Sequence, residues 1–245
     1  MRVIVIIPAA GLGTRMSAAP GGNKTKTKQF FELHGTPILV HTLRKFAQCD
    51  AVSEMVVALR KNETPNFQQQ IENESFRKPL RIVEGGEHRQ NSVANAIATI
   101  EAADDDIILV HDAVRPFVDQ ETIVNVVEAV KKYDAVIAGV PAIDTVKQVD
   151  RTADGAVVIA TVPRERMVLA QTPQGFRFGL LKKAFDEATA DGFMGTDEAS
   201  LIERSGGAVH VVMGSPRNMK ITTPADLELA EFFLTLENRE PSLSG

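Results

Sequence analysis

The chain has 245 residues, 44% of them hydrophobic and 24% charged, with a formal net charge of −5. These values exclude a disordered, collagen-like or membrane-embedded chain, and the acidic balance excludes a general nucleic-acid surface, so any anion site is a local Lys/Arg cluster. A single cysteine, Cys49, excludes an intrachain disulfide and a multi-cysteine metal site.

The first apolar run, Val3–Ile7, stops at Pro8. It is too short for a signal-peptide core or a bilayer span and reads as a buried strand. The expected location is the cytoplasm, with no membrane partner. Pro37–Ala47 reads as a helix with Leu39, Leu43 and Phe46 on one face. Met55–Leu59 and Arg81–Val83 read as strands, the second followed by Gly85-Gly86. Val93, Ala96, Ile97 and Ile100 have helical spacing. Ile107–Val110 is a strand, Ile123, Val126, Val127 and Val130 repeat the helical pattern, and Ala135–Val140 is a further strand. This βαβα alternation predicts an α/β fold, a mainly parallel sheet with helices on both faces.

After Pro141 the rhythm breaks. Thr145–Val149 and Ala156–Val162 flank the turn-rich Arg151–Gly155, which predicts a β-hairpin projecting from the main domain. The alternation then resumes with a helical face at Leu181, Ala184, Phe185 and Ala188 and a strand over Val209–Met213. The last helix opens at Thr223-Pro224, with Thr as N-cap, Pro in the first turn and Asp226 favouring the positive helix end. One domain over residues 1–238 is expected, with 142–163 as an inserted arm and 239–245 as a polar, frayed tail.

Several segments can carry chemistry. Pro8-Ala-Ala-Gly-Leu-Gly-Thr-Arg-Met16 follows the first strand, where small residues let a ligand approach the backbone and exposed amides suit phosphate. A tight turn without a ligand is the alternative. The third glycine of a dinucleotide fingerprint is missing, and no Walker-type loop is present, which disfavours a dehydrogenase and a P-loop NTPase. Arg15 and the Gly21–Gln29 stretch, with Lys24, Lys26 and Lys28, form a basic loop suited to a triphosphate rather than a merely solvated one. Asp112 ends a buried strand and can hold a divalent metal or order a basic partner, with Arg115 three residues on; a structural Asp–Arg pair reads equally well. His111 reads as a packing histidine. Ser92 by itself reads as a helix N-cap, and Lys220 as a solvated lysine. The five histidines lack zinc-hydrolase spacing, and Cys49 has no adjacent His to make it a nucleophile.

Taken in order, Pro8–Met16, Lys28-Gln-Phe30, Val110-His-Asp-Ala-Val-Arg-Pro116, Asp144-Thr-Val-Lys147, Gln171-Thr-Pro-Gln174, Thr196-Asp-Glu-Ala-Ser200 and Asn218-Met-Lys-Ile-Thr222 resemble the 2-C-methyl-D-erythritol 4-phosphate cytidylyltransferase family. The match spans about Val3 to Leu234. The resemblance implies a Rossmann-like nucleotidyltransferase fold, a homodimer, and a reaction of CTP with methylerythritol 4-phosphate that uses Mg²⁺ and releases pyrophosphate. It implies that Arg15 and Lys28 stabilise the transition state, and that Ala9, Ala10, Gly11, Gly86, Ser92 and Ala113 hold CTP. It implies that Asp112, Arg115, Thr172, Thr196 and Lys220 meet the acceptor substrate, with Thr145 and Arg164 reaching in from the partner subunit. Mg²⁺ would rest mainly on the CTP phosphates, with Asp112 as a candidate ligand. The 17–27 segment is longer than the family pattern, so Lys24 competes with Lys28, which matches by its Gln29-Phe30 neighbours. The alternatives are a ribitol-5-phosphate cytidylyltransferase and a nucleotide-binding module without catalysis.

Overall fold

The structure, a computed structural model, describes residues 1–11 and 27–239. Arg15, Lys24 and the tail from 240 onward lie outside the described residues. The first strand, β1 (Val3–Pro8), pairs in parallel with β4 (Glu54–Leu59) on one side and β6 (Ile107–Val110) on the other. Side chains alternate across a strand, so β1 feeds two cores. Val3, Val5 and Ile7 join one core with Leu43, Phe46 and Val126. Ile4 and Ile6 join the other with Val93, Phe176 and Leu181. Burial on both faces explains why the strand is an unbroken apolar run.

Three of the helices that cover these faces follow the predicted periodicity: α1 (Ile38–Ala47), α3 (Arg89–Ala98) and α4 (Gln120–Tyr133), whereas α2 (Thr64–Gln70) was not expected from the sequence. In α4 the Asp119 side chain caps the first turn by accepting the Thr122 N–H at 2.6 Å. A short β2–β3 ribbon (Glu32–Leu33 and Thr36–Pro37) precedes α1, and β5 (Leu80–Glu84) forms the sheet edge beside β4. Beyond β7 (Ala135–Pro141), β8 (Val146–Thr152) and β9 (Gly155–Val162) pair only with each other, as the predicted hairpin. Its Val157, Val158 and Ile159 are all exposed.

The main departure from expectation is β10 (Val168–Arg177), where the sequence carries no strand pattern. It runs antiparallel between β6 and β7, in the sheet order β11-β7-β10-β6-β1-β4-β5. Its Gln171-Thr-Pro-Gln174 segment lacks a strand's apolar alternation because the register breaks between Ala170 and Gln174. Those polar side chains are turned into a cleft. The remaining elements are α5 (Phe178–Ala190), the unpredicted α6 (Glu198–Arg204), β11 (His210–Met213) and α7 (Pro224–Arg239). The α7 start is built as predicted. Thr223 Oγ1 accepts the Asp226 N–H at 3.3 Å, and Asp226 Oδ2 accepts the Thr223 N–H at 2.8 Å. Among the described residues no helix is long and apolar enough to cross a membrane.

Candidate active site

The carboxyl ends of β1, β4 and β6 open onto a cleft, the position where open α/β sheets take ligands. A first cavity of about 140 Å³ is lined by Ala9, Ala10, Gly11, Lys28, Ser92 and Ala113, among others. Gln29 Nε2 donates to the Ala9 carbonyl at 2.5 Å and Arg60 Nε to the Ala10 carbonyl at 2.7 Å, which fixes this backbone turn from behind. Gly86 belongs to the same wall through Ser92, whose Oγ accepts the Gly86 N–H at 3.1 Å. A Cβ at Gly86 would stand 2.4 Å from the Asn91 Cβ, so only glycine permits this approach. Ser92 is therefore not a helix N-cap. The cap position is His88, and Ser92 sits inside α3, where its hydroxyl serves the loop above. Hydrogen-bonding potential alone cannot separate these two uses of a serine near a helix start.

A second cavity of about 210 Å³ adjoins the first and is lined by Asp112, Arg115, Thr172, Thr196 and Lys220. Asp112, Lys220 and Arg89 front both cavities. Lys220, read by itself as solvated, places Nζ 3.0 Å from Asp112 Oδ2. The other partners of Asp112 are Arg115 Nε at 3.2 Å and Arg89 Nε at 3.3 Å. Burial alone pushes the Asp112 carboxyl up, yet Arg89, Lys220 and Arg115 together outweigh it and hold the group well below the usual carboxylate range. Arg115 Nη1 also donates to the Asn218 carbonyl at 2.6 Å, which ties the segment after β6 to the loop that carries Lys220.

The sequence marks Glu198 only as part of the Thr196–Ser200 motif and does not mark Arg89. Arg89 opens α3, and its Nη1 contacts both oxygens of Glu198, at 2.6 and 2.7 Å. An arginine in a helix's first turn opposes the positive helix end, and that mismatch is the signal that a counter-charge is near. Burial raises the Glu198 pKa, with Arg89 opposing. Gln174 Nε2 donates to Asp197 Oδ2 at 2.7 Å, and Gln174 Oε1 accepts the Ala199 N–H at 3.1 Å, so the bulged strand locks the start of α6 beside Thr196.

Thr145 and Arg164 line neither cavity. Both are exposed at the hairpin, where Arg164 Nη1 donates to the Ile143 carbonyl at 2.7 Å. Asp112 does not fit a metal ligand, because three cationic side chains already occupy its oxygens within 3.0–3.3 Å. Among the described residues no group of three His, Cys, Asp or Glu gathers to hold an ion.

Residues 3–236 match the family model "IspD: 2-C-methyl-D-erythritol 4-phosphate cytidylyltransferase". An enzyme of that name from Acidobacterium capsulatum is 58% identical, covering 96% of this chain and 98% of the relative. Another from Solibacter usitatus is 49% identical over the whole of both chains. The crystal structure of the Francisella tularensis enzyme superposes with a TM-score of 0.78 at 37% identity, covering 95% of this chain and 99% of that one. The chain belongs to the 2-C-methyl-D-erythritol 4-phosphate cytidylyltransferase family.

Proposed function

We propose that the chain transfers a cytidylyl group from CTP to 2-C-methyl-D-erythritol 4-phosphate and that the two adjoining cavities take donor and acceptor. The observation that carries this arrangement is the shared wall. Lys220 and Arg89 front both cavities, so two anionic reactants meet over one cationic seam.

The acceptor phosphate has a second pKa of about 6 and is largely dianionic at neutral pH. Its oxygen attacks the α-phosphorus, the new O–P bond forms, and the bond to pyrophosphate breaks. No proton has to be removed, so Asp112 is not needed as a base, and its oxygens hold the cations in place instead. The barrier lies in bringing polyanions together in line, which cations and positioning lower. In this reading Lys28 and Arg15 stabilise charge at the α-phosphorus. Ala9, Ala10, Gly11, Gly86, Ser92 and Ala113 hold the nucleotide, and Asp112, Arg115, Thr172, Thr196 and Lys220 hold the acceptor. Mg²⁺ would be held mainly by the triphosphate, where it would offset phosphate charge, and no step here depends on it.

A homodimer follows from the same reading. A hairpin that pairs only with itself and exposes Val157, Val158 and Ile159 is suited to burial against a second copy. That contact would bring Thr145 and Arg164 to the partner's second cavity. Residues 1–238 then form one domain with 142–163 as its arm. A cytoplasmic location is in keeping with the free, buried Cys49.

The test is pyrophosphate release from CTP and Mg²⁺ with methylerythritol 4-phosphate and ribitol 5-phosphate offered separately. Release with the first alone is expected. Preference for the second would overturn the acceptor assignment, and silence with both from a CTP-binding protein would overturn catalysis.

A further inference from the structure

His111 lies fully buried behind the second cavity, its ring edge-on to Phe46 with centroids 4.7 Å apart. Nε2 is 3.1 Å from the Arg115 carbonyl oxygen and Nδ1 is 3.1 Å from Thr172 Oγ1. A carbonyl only accepts, so Nε2 carries the ring proton. Burial disfavours a second proton and lowers the pKa to about 4, so the ring is neutral. Nδ1 therefore offers only a lone pair, and the Thr172 hydroxyl must donate its hydrogen to it. The same Thr172 oxygen accepts the Asp112 N–H at 3.0 Å. That leaves Thr172, a lining residue of the cavity, with one spare lone pair on Oγ1 and no spare proton.

We propose that His111 is a positioning residue that makes Thr172 Oγ1 a pure hydrogen-bond acceptor, so that this point of the cavity reads a hydroxyl of the polyol acceptor and turns away its phosphate. The inference rests on the second cavity being the acceptor site. Neighbouring Asp112 repeats the polarity, because an ionised carboxylate also only accepts. A phosphate dianion finds no donor from either group; of the cavity's cations, Arg115 is already engaged by Asp112 and the Asn218 carbonyl, which directs the phosphate to Lys220 and Arg89. The acceptor substrate is thereby oriented end to end: its hydroxyls point to β6 and β10, and its phosphate points to the seam with the first cavity.

Two measurements test this. ¹⁵N spectra of histidine-labelled protein, with His111 assigned through its own backbone amide, should show a neutral Nε2–H tautomer at pH 7. An Nδ1–H tautomer or an imidazolium would overturn the proposal without touching the site assignment. The second measurement compares kcat/KM for methylerythritol 4-phosphate with its monodeoxy and deoxyfluoro analogues at each carbinol position. At the hydroxyl that meets Thr172, fluorine should cost as much as hydrogen, roughly 10- to 100-fold, because neither donates. Thr172→Ser should keep that penalty. Thr172→Val should abolish it, so that native acceptor and analogues converge. If Thr172→Val matches the parent on the native acceptor, the acceptor-site reading fails and the inference falls with it. If Thr172→Val is impaired but fluorine preserves turnover where hydrogen does not, the site stands and the polarity is overturned.

Discussion

Arg89 joins two buried carboxylates: its Nη1 lies 2.6 Å from Glu198 and its Nε 3.3 Å from Asp112. The two ends of this link are unequally sheltered. Glu198 is 1% exposed at its side chain, whereas Arg89 keeps 28%. Arg89→Ala therefore strands a buried charge and should cost about 3–5 kcal/mol of stability. Glu198→Gln leaves an arginine that still has Asp112 and water, and should cost only about 1–2 kcal/mol. Urea unfolding of both variants checks the ranking, and equal losses would mean that the pair is not limited by the burial of Glu198.

The two loop lysines are separable by kinetics. Lys28 lines the first cavity beside Ala9, Ala10 and Gly11. Lys28→Ala should lower kcat by about 10²–10³, the usual loss when one group stabilising transition-state charge is removed. Lys24→Ala should change it far less. The reverse order in steady-state assays would transfer the role to Lys24.

The proposed homodimer, with Arg164 working in the partner's site, predicts complementation. Arg164→Ala and Lys28→Ala subunits, each inactive in its own dimer, should regain activity when mixed, because one composite site per mixed dimer is intact. Absence of recovery after mass spectrometry has confirmed subunit exchange would rule out action in trans.

Buried histidine makes stability fall on mild acidification. The His111 pKa is lowered to about 4 from an ordinary 6.5, so between these values the unfolded chain takes up a proton that the folded chain refuses. Stability should be fully retained above about pH 6.5 and decline as pH drops toward 4, by about 3 kcal/mol in total at about 1.4 kcal/mol per unit. His41, also lowered by burial, adds in the same direction. Denaturation midpoints measured from pH 7.5 to 4.5 check the slope, which a folded His111→Phe variant should flatten.

Local rules were enough for much of the fold. Runs buried on both faces, such as Val3–Ile7 and Ile107–Val110, stay apolar at every position, and helices such as α4 keep a 3.6-residue period. Both patterns follow from short-range geometry and are visible in the chain itself. The motif residues from Ala9 to Lys220 were also legible, because residue types and order are properties of the sequence. What distance along the chain concealed was the pairing. β10 enters the sheet between strands from two different stretches, and its polar Gln171–Gln174 segment is strand-like only because the cleft and α6 satisfy it. Arg89 and Glu198, 109 positions apart, acquire a role only where α3 and α6 meet. Whether Ser92 caps a helix or holds Gly86, and whether Thr172 gives or takes a hydrogen bond, depends on which partners the fold brings within about 3 Å. Hydrogen-bond direction is a property of neighbours, and tertiary structure alone supplies them.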